Sequence, residues 1–136
     1  MTMPARRDNW PNLLAQFIEQ RREQPFAWGV NDCCIFAADW VQLCTGEDYA
    51  KAWRGRYSTP INARRFLNEA GGVEALVDAL GLQRVAPQLA GRGDIVAQEA
   101  GLGMTLGICL GVTTAFVTKN GLAFGSIANA EKSWKV

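Results

Sequence analysis

Histidine is missing from this 136-residue sequence, and so is any strong excess of charge. Without an imidazole, the chain lacks the side chain that most often acts as a general base near neutral pH. Lys and Arg total 14 and Asp and Glu total 13, so the net charge is +1. Charge therefore favours neither nucleic acid nor an anionic membrane as a partner.

Long hydrophobic runs are also missing. No run approaches the roughly 18 apolar residues that suggest a membrane-spanning helix. The segment from Met1 to Asp8 is polar and lacks the apolar centre of a signal peptide. We expect a protein that is made in a cytoplasm and either stays there or leaves it within an assembly, with no membrane span.

The cysteines are few, and none of them is paired in a CxxC motif. Without histidine, a tetrahedral zinc site would need all four, and two adjacent cysteines at one helix start cannot easily both bind the metal. A disulfide framework is not expected in a reducing compartment. We therefore predict no metal site, no cofactor and four free thiols: Cys33, Cys34, Cys44 and Cys109.

The order of the predicted elements indicates a single α+β domain over residues 1–136, with residues 1–8 flexible or ordered only on assembly. Helices fill the first part of the chain, and short apolar segments between glycines and threonines fill the rest. The helices are predicted over Pro11 to Glu23, Asp32 to Cys44, Asp48 to Trp53, Pro60 to Glu69 and Val73 to Leu80. The strands are predicted at Ile95 to Ala97, Leu106 to Leu110, Ala115 to Val117 and Gly121 to Ile127.

Asp32 and Cys33 form the pair of residues with the clearest chemical potential. Asp32 is a good N-cap, and the nearly continuous apolar run from Ile35 to Val41 predicts a buried central helix behind it. A cysteine at a helix start is exposed to unpaired N–H groups and a partial positive charge, which favour the thiolate. The alternative is an inert buried cysteine, which is common.

Three motifs resemble those of the NlpC-type, papain-like cysteine peptidases, and they occur in that family's order. They are Phe26-Ala27-Trp28-Gly29 followed by Asp32-Cys33, then Gly93-Asp94-Ile95-Val96, then Thr105-Leu106-Gly107-Ile108-Cys109-Leu110-Gly111. The resemblance implies a papain-like fold in which the N-terminal helices, with Asp32-Cys33 on the central one, pack on a C-terminal antiparallel sheet.

Carried over residue by residue, the resemblance places Cys33 at the nucleophile position and Thr105 where the family has its catalytic histidine. The third, orienting position falls near Val117 or Thr118. Threonine can neither activate a thiol nor protonate a leaving amine near neutral pH. Three carboxylates remain as substitute bases, although each also has a structural interpretation: Asp32, Asp39 and Asp94.

Two further groups of residues have open interpretations. Trp28, Trp40 and Trp53 are interpreted as core and helix-packing aromatics and not as a platform for stacking sugars. The segment Arg54-Gly55-Arg56-Tyr57 is either a contact between subunits or an exposed structural loop.

A wider set of motifs resembles a subfamily of small uncharacterised proteins encoded in phage and prophage tail modules. The set joins the Trp28-to-Cys33 motif to Thr45-Gly46-Glu47-Asp48, Trp53 to Tyr57 and Trp134. This resemblance implies a structural component of a phage tail tip or baseplate, located in the virion, with a degenerate and inactive peptidase fold. The implied partners are other tail proteins, with possible contact to peptidoglycan.

Two alternatives stay open. One is a cell-wall amidase or peptidase that uses Cys33 with a base other than histidine or a base from a partner. The other is a tail assembly chaperone.

Overall fold

The helices come first along the chain in the computed structural model, which describes residues 5–99 and 103–136. Within these ranges they are α1 (Trp10–Arg21), α2 (Cys33–Thr45), α3 (Pro60–Ala70) and α4 (Val73–Asp78). Proline stands in the first turn of α1 and of α3, where its missing N–H costs nothing. Glycine in the left-handed conformation ends α2 and α3, at Gly46 and Gly71.

Helix α2 lies at the centre of the hydrophobic core. Its side chains Phe36 and Trp40 are completely buried, and the ring of Phe17 on α1 stacks on Phe36 with 5.4 Å between centroids. The prediction of a buried central helix is thus confirmed, and the helix holds its own N-terminus in a fixed place against the sheet.

The strands are β1 (Arg84–Val85), β2 (Ile95–Glu99), β3 (Met104–Cys109), β4 (Thr113–Thr118), β5 (Gly121–Ser126) and β6 (Lys132–Trp134). They form an antiparallel sheet with the strand order β1-β6-β2-β3-β4-β5. Strands β2 to β5 follow one another as a meander, and β6 returns to lie between β1 and β2. The predicted α+β architecture is confirmed.

One face of the sheet packs on the helices. Leu106 and Ile108 of β3 belong to the same buried cluster as the α2 side chains. Val96, Cys109 and Phe116 form a smaller cluster on the opposite face. The alternation of the two clusters along β3 follows from the two-residue period of a strand.

Two parts of the secondary-structure prediction were wrong. Residues 48–53 form turns and not a helix, because the Asp48 carboxylate accepts the N–H of Ala50 and also binds Arg54, which favours a tight turn. Strands β1 and β6 were not predicted, because their two and three residues include Arg84 and Lys132 and show no apolar alternation.

Both ends of the described chain meet at Asp94, which is completely buried. Its carboxylate binds Arg6 at 2.8 Å and accepts the N–H of Val136 at 3.0 Å. The N–H of Arg7 donates to the carbonyl of Cys44 at 2.8 Å. Of the segment predicted to be flexible, residues 5–8 are therefore partly tied to the domain, and residues 1–4 lie outside the described residues. Within the described part, no helix has the length and apolar character needed to cross a membrane.

Candidate functional site

Asp32 holds together the loop that precedes α2. Its carboxylate caps the helix by accepting the N–H of Ile35 at 2.9 Å. The second oxygen accepts the N–H of Gly29 at 2.9 Å and the hydroxyl of Tyr57 at 2.7 Å. The residue is only 2% exposed. Because both oxygens accept hydrogen bonds that fix the loop and the helix start, Asp32 is a structural cap.

The Tyr57 contact unites two sequence motifs in one structural unit. Gly29 has a φ of +77°, and a Cβ at this position would overlap the backbone carbonyl oxygen of Tyr57. Burial and the bond to Asp32 both raise the pKa of Tyr57 well above its usual range. Tyr57 is buried, and Arg54 bonds to two carboxylates of its own chain, at Asp39 and Asp48. This segment is therefore part of the fold.

Cys33 is the first residue of α2, and the residue is partly exposed. Its sulfur lies 3.9 Å from that of Cys34. A hydrogen bond from Cys34 is the main cause that lowers the pKa of Cys33, and it acts against burial. The backbone N–H of Leu106 and the hydroxyl of Thr105 lower it further. The pKa of Cys34 is raised in turn, so Cys33 is the thiol that ionises first.

Thr105 lies on β3 beside this thiol, at the position the resemblance gives to a histidine. Its cross-strand partner on β2 is Gln98. The third position supplies no group that orients a base. Val117 is buried in the core, and the hydroxyl of Thr118 donates to the carbonyl of Gly121 at 2.7 Å. Among the residues that the structure describes, the Cys33 thiol thus has hydrogen-bond donors around it but no group that takes up and releases a proton near neutral pH.

The other carboxylates considered as substitute bases are committed to ion pairs. Asp39 binds Arg21 at 2.7 Å and Arg54 at 2.6 Å. Asp94 is held by Arg6 and by the backbone at the far end of the chain. Both carboxylates are thus held in contacts that do not include Cys33.

The thiol opens into a cleft of about 760 Å³. The cleft is mainly apolar, with aromatic walls, and Trp28 is 36% exposed at its side. The Trp28 ring meets Phe26 edge-on at 4.6 Å between centroids. The interpretation of Trp28 as a core aromatic was wrong, whereas Trp40 and Trp53 are buried as predicted. The residues that line the cleft include Phe26, Trp28, Cys33, Gln98, Met104 and Thr105.

Gln98 was not identified from the sequence, although it lies on β2 only two residues beyond the Gly93-to-Val96 motif. Its side-chain oxygen Oε1 is buried, and none of the described residues donates a hydrogen bond to it. Buried acceptors are nearly always paired with a protein group or a water molecule. The residues described include no cluster of three or more His, Cys, Asp or Glu side chains that could hold a metal ion.

The arrangement of a cysteine on a helix start beside an antiparallel sheet is that of the NlpC/p60 fold. The protein is similar to the crystal structure of the NlpC/p60 domain of peptidoglycan hydrolase SagA, with a TM-score of 0.58 and 16% sequence identity. The similarity covers 90% of this chain and 96% of that one. At this identity the comparison defines the fold.

A family model for a domain of unknown function, DUF6950, matches residues 5–136. The chain belongs to the DUF6950 family. No curated protein matches the sequence.

Proposed function

We propose that this protein is a structural component of a phage tail tip or baseplate, in which an NlpC/p60-like domain serves for docking and does not hydrolyse peptidoglycan. The observation that carries the proposal is the environment of Cys33. Its helix, loop and cleft are intact, but Thr105 replaces the proton carrier that amide hydrolysis needs. The resemblance of the motifs around Trp28, Trp53 and Trp134 to tail-module proteins supports the location in the virion.

The ordered loop around Asp32 fits this role. The carboxylate of Asp32, with its three donors, fixes the rim of the cleft. The rim presents the partly exposed ring of Trp28 to a partner, and aromatic residues are favoured in the buried centres of interfaces. Other tail proteins are the proposed partners.

Mass spectrometry of purified tail particles tests the proposal. We expect peptides of this chain at a fixed ratio to the other tail proteins. Particles that lack the chain would contradict the structural role and would favour the assembly chaperone, which acts on tail proteins and is then left behind.

A second candidate function is a cell-wall amidase or peptidase whose base comes from a partner subunit. The lowered pKa of Cys33 and its opening to the cleft favour this alternative. Isolated peptidoglycan incubated with assembled tails distinguishes the two. Release of soluble fragments by native tails, and its loss in tails carrying Cys33→Ala, would establish the enzyme and overturn the docking role.

A further inference from the structure

Strand β5 is one of the two outer strands of the sheet, and it lacks the features that usually protect such an edge. Outer strands are normally short or carry charges, prolines or bulges, because their unpaired backbone groups attract other strands. The opposite outer strand, β1, has only two residues, and Arg84 in it forms ion pairs. By contrast, β5 has six residues, no charge and no proline, and its register with β4 is unbroken.

The backbone groups that β5 offers to a partner follow from its pairing with β4. The N–H of Leu122 donates to the carbonyl of Arg22, outside the sheet, at 2.9 Å. Alternate residues of a strand direct their backbone groups to the same side, so those of Phe124 and Ser126 also point away from β4. The Ser126 carbonyl, at the N-cap of the short 3-10 helix Ile127–Asn129, accepts that helix's first hydrogen bond. Four groups have no partner among the residues that the structure describes: the Leu122 carbonyl, the Phe124 N–H and carbonyl, and the Ser126 N–H.

These four groups are complementary to themselves. When two β5 strands pair antiparallel about a twofold axis at Phe124, its N–H and carbonyl exchange hydrogen bonds with those of the second copy. The Ser126 N–H of each copy then faces the Leu122 carbonyl of the other. The two groups left over, the Leu122 N–H and the Ser126 carbonyl, face each other, and both already have partners within their own chain. The register about Phe124 therefore satisfies every free group on both copies.

The side chains along this edge also fit a second copy. Phe124 is 44% exposed, and at the twofold axis the two Phe124 rings lie directly opposite on one face, where aromatic pairs stabilise a sheet. The guanidinium of Arg22 lies over this ring at 5.2 Å, and its charge is balanced by Glu19 at 3.1 Å. Residues 100–130 contain a single charged side chain, Lys119. Interface centres are depleted in charge, so an edge this neutral is matched by an equally neutral copy of itself.

We propose that two copies of this protein pair through β5, so that their sheets join into one antiparallel sheet of twelve strands. The shared edge is short, and small interfaces bind weakly. We expect a dimer with a Kd of about 10 µM to 1 mM. The pairing does not rest on the tail role, because it concerns the isolated chain.

Sedimentation equilibrium of the full chain tests the pairing. We expect the mean mass to rise with concentration from 14.9 kDa toward twice that value. Phe124→Lys removes the aromatic pair and places like charges opposite each other, so it should weaken the association about tenfold or more. Ile61→Lys is the matched control, because Ile61 is 73% exposed on α3, and it should leave the association unchanged. Far-UV circular dichroism checks that both variants are folded.

Disulfide cross-linking tests the register. At the twofold axis the two Cα atoms of residue 124 are about 5.5 Å apart, which is within the range of a disulfide. The two copies of residue 123 are diagonal neighbours, about 7–8 Å apart, which is too far. With oxidised glutathione, Phe124→Cys should therefore give a covalent dimer on a non-reducing gel. Ala123→Cys, at an exposed position, and the wild type should give none.

A chain that stays monomeric up to about 1 mM would overturn the proposal and would leave this edge to a strand of another protein. Equal association of the wild type and Phe124→Lys would also overturn it, as would cross-linking at residue 123 as strong as at residue 124. The composition of tail particles is measured separately, so a failed pairing leaves the proposed docking role standing.

Discussion

Removing the Asp32 carboxylate should destabilise the fold more than the loss of an ordinary helix cap. Asp32→Ala removes the cap of α2, which is worth about 1 kcal/mol. It also leaves the buried Tyr57 hydroxyl without its acceptor, which costs about another 2 kcal/mol. We therefore expect a loss of about 3 kcal/mol in the free energy of unfolding.

A double-mutant cycle separates these two contributions. Tyr57→Phe should cost about 2 kcal/mol, because it removes a hydrogen bond to a charged group. In the double variant the stranded hydroxyl is gone, so its loss should be smaller than that of Asp32→Ala and close to the cap's cost of about 1 kcal/mol. The two single losses should therefore fail to add by well over about 0.5 kcal/mol.

The assay is urea unfolding followed by tryptophan fluorescence, with the slopes compared between variants. Thr59→Ala is the matched control, because Thr59 caps α3 at an exposed position by accepting the N–H of Asn62. Thr59→Ala should lower the free energy of unfolding by about 1 kcal/mol, and this loss should add to that of Tyr57→Phe without coupling. Losses at Asp32 and Tyr57 that add to within about 0.5 kcal/mol would refute the proposed network.

Three further variants test the loop, the site and the surface. Gly29→Ala should cost at least about 3 kcal/mol in a urea titration, and Gly55→Ala, which has a similar φ of +79° and open space, only about 1 kcal/mol; equal losses would refute the steric reasoning. Thr105→His should lower the pH midpoint of Cys33 alkylation by iodoacetamide by about one unit or more, since an imidazolium stabilises the thiolate; an unchanged midpoint would show that position 105 does not face the thiol. The bond to Arg84 lowers the pKa of Asp78 to about 2. The contribution of Asp78 to the free energy of unfolding is therefore complete above pH ~4 and is lost as the pH falls through ~2. Chemical unfolding of Asp78→Asn should accordingly show a deficit at pH 6 that disappears near pH 2, and a deficit independent of pH would contradict the assignment.

Short motifs and clear periodicity were enough to predict the part of the fold that matters most for the site. The cap at Asp32, the buried helix behind it and the β2-to-β5 segments follow local rules, so the sequence reveals them. Strands β1 and β6 were missed because their pairing is between distant residues, such as Arg84 with Trp134, and carries no local signal. The turns at residues 48–53 were missed because they depend on the hydrogen bonds of one side chain, that of Asp48.

The sequence predicted where the site lies but not all of the contacts within it. Cys33 and Thr105 are brought together as the motif order indicated. The three uses of the Asp32 carboxylate and the unpaired oxygen of Gln98 depend on contacts across the fold, which a linear sequence does not display. Exposure of Trp28 was also missed, because an aromatic residue in a loop fits a core position and a cleft wall equally well.

The placement of β6 between β1 and β2 has a consequence for synthesis on the ribosome. Until residues 132–134 have left the exit tunnel, β2 has no partner on one side, and its apolar residues Ile95 and Val96 lie along an open edge. The sheet can therefore close only after residues 132–134 have been made. Until then, the nascent chain offers a temporary pairing surface that a neighbouring copy on the same messenger RNA can reach.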